Sequence, residues 1–140
     1  MDNESLYNET QHYVISVCEE YIPSKHEIPI IERDLEKLRM KLGEAKSEAE
    51  KRVIEFGIQH REQDLERAQK VVAEYEYLLR GLNDEEKNII NQLYSFGRTW
   101  KQVVDENGHA IYEKKISRCK KKAISHMAER KMRRAIIDKI

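Results

Sequence analysis

At 140 residues the chain has room for one domain, or one small domain with an extension. Its 39% hydrophobic and 37% charged content excludes a single large core and suits exposed helices. Lys and Arg balance Asp and Glu at 26 each, but residues 1–80 hold 12 basic against 18 acidic groups and residues 81–140 hold 14 against 8, the asymmetry of a chain with one end for nucleic acid and the other for a different task.

Two unpatterned cysteines exclude a disulfide framework. No apolar run approaches the roughly 18 residues of a membrane span, and no secretory leader is evident. Reduced thiols in a cytoplasmic protein, with no membrane partner, are the expectation. Only two Pro and five Gly interrupt the chain, so the expected fold class is all-α.

Met1 to Asn3 are expected to be disordered. Tyr7, Val14, Ile15, Val17, Cys18, Tyr21 and Ile22 predict a short helix over 5–22. Pro23-Ser24 and Pro29 then bracket a break, because a residue before proline avoids the α region, which makes Ile22 and Ile28 extended. From Ile30 the chain reads as strongly helical. Leu35, Leu38, Leu42, Ala45, Ala49 and Phe56 form one heptad ladder. Leu65, Ala68, Val72, Tyr75, Leu79 and Leu82 form a second, two residues out of phase, with Gly57 near the shift. Two forms are open. A helix continuous from 30 to 80 would be about 75 Å long at 1.5 Å per residue; a break near Gly57 would give two antiparallel helices. Both ladders are thin and coiled-coil-like, so residues 1–80 are expected to serve homo-oligomerisation or partner binding.

Residues 81–140 read as three further helices. Asn83 with Glu86 forms a capping box, and Asp84, Glu85 and Glu86 place negative charge on the positive end of the helix dipole. Ile89, Ile90, Leu93 and Tyr94 make its apolar stripe, and Gly97 ends it by entering the left-handed region. Thr99 caps a second helix with Trp100, Val103 and Val104 on its buried face, and Asn107-Gly108 is a turn. The third helix, roughly 111–131, buries Ile116, Cys119, Ala123, Ile124 and Met127 and turns Lys114, Lys115, Ser117, Arg118, Lys121 and Lys122 outward. Two short helices joined by a tight turn, the second basic, form the pattern of a helix-turn-helix, whose basic helix fits the major groove of double-stranded DNA. A lone basic helix is as often a solvated face; the capped helices before it shift the balance to DNA.

The pattern Leu82, Glu85, Glu86, Ile89, Ile90 and Tyr94, then Thr99, Trp100 and Val103, then Ile116, Arg118, Lys122, Ala123 and Ile124 resembles region four of bacterial sigma factors. More narrowly it is similar to the phage late transcription regulators of the RinA and ArpU families. The likeness covers about 81–128. It implies helical residues 1–80 followed by a three-helix, sigma-region-four-like helix-turn-helix domain at 81–140, acting in regulation of phage or prophage genes in a bacterial host cell. A contact with host RNA polymerase is implied by this resemblance alone. Two departures stand out: Asn107 to Tyr112 replace the usual Ser or Thr cap of the last helix, and Val104 stands where alanine is usual.

Within this reading Arg98, Thr99 and Lys101 sit where a helix start holds phosphates. Tyr112, Lys114, Lys115, Arg118, Lys121 and Lys122 face the DNA, with Glu113 and Ser117 as base readers. Arg130, Lys131, Arg133 and Arg134 either add phosphate contacts or are solvated. No phosphate loop, Rossmann fingerprint, zinc-finger spacing or nucleophile–base set is present, so neither enzyme, cofactor nor metal is expected. The rivals are a small terminase-like DNA-packaging protein and a helical scaffold that ignores nucleic acid.

Overall fold

A computed structural model describes residues 2–106 and 110–138, the side chains of 104–106 and 110–113 excepted. The helices are α1 (Asn3–Glu44), α2 (Glu48–Arg80), α3 (Asp84–Ile90), which continues as a π-helical turn over Asn91–Ser95, α4 (Trp100–Glu106) and α5 (Ala110–Asp138). The described residues hold no strand, and none of their helices is long and apolar enough to cross a membrane. The chain is all-helical and opens on a long helix.

The start of α1 is ordered by a cap: the Ser5 N–H donates to Asp2 Oδ1 at 2.7 Å. The break expected at Pro23 and Pro29 does not occur, since both lie inside α1. An interior proline removes one helical hydrogen bond and costs about 3 kcal/mol, so tertiary packing has to outweigh it. The spacing shows how. The seam of Leu35, Leu38 and Leu42 extends backward in steps of three and four through Ile31, Ile28, Ser24, Tyr21, Val17 and Val14 without a slip. Val14, Val17, Tyr21, Ser24, Ile31 and Leu35 are all buried. Both prolines fall off the seam and are exposed, where a missing N–H is tolerated.

The chain divides into two compact units, residues 23–73 and residues 1–22 with 74–140. The boundary drawn in the sequence at residue 80 differs from this division, because the first turns of α1 and the last turns of α2 belong with α3–α5.

In the 23–73 unit, α1 and α2 are joined by a turn at Ala45–Ser47. Ser47 Oγ caps α2 by accepting from the Glu50 N–H at 3.1 Å. The two helices are antiparallel: Leu38 methyls lie beside Gly57, and Arg61 bonds Asp34 across the pair at 2.6 Å and Asp64 along its own helix at 3.2 Å. The chain therefore reverses at 45–47 and not near Gly57, which is inside α2. Phe56, expected on the first ladder, is 64% exposed. The inward positions are Ile54, Gly57, Ile58 and Arg61, all half-buried, and these run in phase with Ala68 and Tyr75.

In the other unit, Val14, Val17, Cys18 and Tyr21 of α1 and Tyr75 and Leu78 of α2 share the core with Leu82, Ile90, Ala123, Met127 and Ala128. The Tyr21 and Tyr75 rings stack at 4.0 Å. The Tyr75 hydroxyl meets Ser95 Oγ at 2.8 Å, and Ser95 donates onward to Asn91 Oδ1 at 2.8 Å, which satisfies a phenol deep in the core. Burial raises the Tyr75 phenol well above its ordinary range and pushes the Cys18 thiol up to about 12.

Candidate nucleic-acid interface

The two short helices before α5 are set by their ends. Asn83 and Glu86 make the expected capping box: Asn83 Oδ1 accepts from the Glu86 N–H at 2.9 Å, and Glu86 Oε1 accepts from the Asn83 N–H at 3.2 Å. The π-helical turn then carries the chain to Gly97, whose φ of 64° is the left-handed stop. Across it the Arg98 N–H reaches the Gln92 carbonyl at 3.0 Å. Thr99 begins α4 with a second reciprocal box, its hydroxyl accepting from the Gln102 N–H at 3.2 Å and its N–H donating to Gln102 Oε1 at 2.9 Å.

Ile89 of α3, Val103 of α4 and Ile116 of α5 form a buried cluster, with Leu93, Trp100 and Cys119 packed against it. Leu93 and Trp100, expected in the core, are half-buried. The side chain of Val104 and the Asn107-Gly108 turn lie outside the described residues.

At about 100° per residue, Lys114, Lys115, Arg118, Lys121 and Lys122 fall within about 120° of arc on α5, and all five are exposed. Ile116, Ala123, Ile124, Met127 and Ala128 occupy the opposite side and are buried. Among the described residues none of the five cations forms an ion pair. Among the described residues, no carboxylate compensates their charge at ion-pair distance. Thr99 and Lys101 are exposed at the start of α4, and Arg98 is half-buried beside them. The side chains of Tyr112 and Glu113 lie outside the described residues. Ser117 is half-buried and lines a concavity with Gln11 and Ile15 of α1, which Lys114 and Lys121 of the five cations also line.

The basic tail behaves differently. Arg130 Nε donates to the Tyr77 carbonyl at 3.0 Å, and its guanidinium lies 4.2 Å from the Tyr77 ring centre. Arg134 lies 4.5 Å from the same ring and 3.3 Å from Glu74. Lys131 bonds Glu74 at 2.9 Å, and Arg133 reaches Glu129 at 3.7 Å. Arg130, Lys131 and Arg134 thus hold α5 to α2, while Arg133 pairs within α5.

Two features escaped the sequence. Lys120 lies between the face and the core, its ammonium 5.9 Å from the ring centres of both Tyr94 and Trp100. The first turns of α1 also stand beside α5, where the Tyr7 hydroxyl meets Ser125 Oγ. The available signal was the in-phase seam from Val14 to Leu42, which marks α1 as one helix with a face to bury. Among the described residues no cluster of three or more His, Cys, Asp or Glu could hold a metal ion.

Set against family models, curated proteins and solved structures, the chain matches none.

Proposed function

We propose that the chain is a sequence-specific DNA-binding regulator of transcription, of the phage or prophage late-gene kind, and not an enzyme. In this reading α3–α5 form a sigma-region-four-like helix-turn-helix. The observation that carries it is the strip of five exposed cations on α5, free of ion pairs among the described residues, directly opposite that helix's buried side. Cations left without carboxylate partners attract a polyanion, and release of its counterions supplies much of the affinity. The preceding helix, capped at Thr99, supports the reading because such a helix start holds phosphates beside the groove that α5 would enter. Self-association belongs to the 23–73 unit in this reading, where Met40, Val53 and Phe56 stand exposed on a two-helix pair. A contact with RNA polymerase follows from the family resemblance only.

The test is selection of a preferred duplex from random DNA, followed by affinity measurements across salt. Specific binding whose logarithm falls linearly with log salt, at a slope near −0.9 per phosphate neutralised, supports the reading. Failure to enrich any duplex while the full chain is folded rejects it.

A further inference from the structure

Between α1, the start of α4 and the middle of α5 lies an open concavity of about 930 Å³, framed by Gln11, Ile15, Trp100, Lys114, Lys120 and Lys121. That volume falls in the range of small-molecule sites. Its composition is one-sided. Three ammonium groups line it, and no carboxylate does among the described residues. The α1 residues on its wall, Gln11 and Ile15, are uncharged. Beneath the lysines the lining is Ile15, Ile124 and the Trp100 indole.

An anion with a planar apolar body fits these groups, whereas an inorganic anion would leave the indole and the isoleucines unused. We propose that this concavity binds a nucleotide. Its phosphates are held by Lys114, Lys120 and Lys121, its base lies against the Trp100 ring, and the Gln11 amide meets a base edge. Ring stacking of this kind contributes about 1–3 kcal/mol per base, and a carboxamide supplies both a donor and an acceptor. Lys114 and Lys121 also belong to the proposed DNA face, but Gln11 and Ile15 do not. A base paired inside a duplex cannot reach the indole, so the ligand is either a free nucleotide or a nucleotide of a single strand.

The chain's one tryptophan is Trp100, so its emission reports on this place alone. ATP and a dodecathymidylate strand are titrated separately onto the full chain, wild type and Gln11→Glu. The substitution keeps the shape of the side chain and puts a negative charge in the α1 wall. Saturable quenching by ATP that weakens on the order of fivefold in Gln11→Glu assigns the site to free nucleotides. Quenching by the strand alone, weakened likewise, assigns it to single-stranded nucleic acid. Absence of quenching with both probes, or quenching that Gln11→Glu leaves unchanged, overturns the site. The DNA reading is scored apart from this, by duplex affinity of Arg118→Ala, which changes a residue outside the concavity.

Discussion

Glu86 and His126, 40 positions apart in sequence, meet with Oε2 2.5 Å from Nδ1. The other oxygen of the same carboxylate caps α3, so one side chain, 4% exposed, fixes the start of α3 and ties it to the middle of α5. Glu86→Ala removes both bonds and leaves the His126 nitrogen and the Asn83 N–H to find water. Loss of a cap costs about 1 kcal/mol and loss of a hydrogen bond to a charged group about 1.5–3, so a total of roughly 2–4 kcal/mol is expected in chemical denaturation. His126→Ala touches only the second bond and should cost less. Equal losses for the two variants would show that the cap contributes nothing.

Two glycines should respond in opposite directions to alanine. Gly57 sits inside α2 with only Leu38 methyls near, at 3.8 Å from an added Cβ, an ordinary contact. Gly57→Ala is expected to stabilise by about 0.5–1 kcal/mol, the helix-propensity gain. At Gly81 the added Cβ would stand 2.5 Å from Arg130 Cδ, and Arg130 is held in place by the Tyr77 carbonyl and ring. Gly81→Ala should lower the melting temperature. A rise in both variants would mean that Arg130 moves aside freely.

The carboxy-terminal unit should not survive removal of α1. Val14, Val17, Cys18 and Tyr21 fill its core together with Tyr75 and Leu78, so a fragment of residues 81–140 loses six buried side chains from its packing. Far-UV circular dichroism of that fragment is expected to show a broad, uncooperative melt, whereas residues 2–22 and 74–138 present together melt as a unit. In the full chain Tyr75→Ala should cost about 3–5 kcal/mol, the range for a fully buried aromatic. Trp100→Ala should cost less, because Trp100 is only half-buried. A sharp melt of the isolated fragment would refute this.

The two groups of cations on α5 should separate cleanly on DNA. Arg118, exposed and without an ion pair among the described residues, is the expected base contact, since arginine is the commonest reader of guanine. Arg118→Ala should cost about 1–3 kcal/mol on the selected site and relax preference at one position. Lys122→Ala should weaken all sequences alike and by less. Arg134→Gln, by contrast, breaks the Glu74 and Tyr77 contacts and should lower the melting temperature with little change in DNA affinity. Affinity for selected and random duplexes, alongside thermal melts of each variant, decides. A loss for Arg134→Gln matching that for Arg118→Ala would move the tail into the interface.

What the sequence determined by itself was local. Asn83 with Glu86, Gly97 and Thr99 were legible because a cap is chemistry within three or four residues, and each stands where it was read. The buried side of α5 was legible for the same reason, since Ile116, Ala123, Ile124 and Met127 repeat at the period of one helix. The tertiary structure decided what depends on partners. Pro23 and Pro29 looked like a break because proline's cost is local, while the packing that outweighs it comes from residues such as Tyr75, far along the chain. The reversal at Ala45–Ser47 was hidden because Phe56 matched a ladder it does not join. Arg118 and Arg134 look alike in sequence. Only the fold separates them, by bringing Glu74 and Tyr77 to one and leaving the other in water, because the charge a side chain offers a ligand depends on which opposite charges the chain has folded against it.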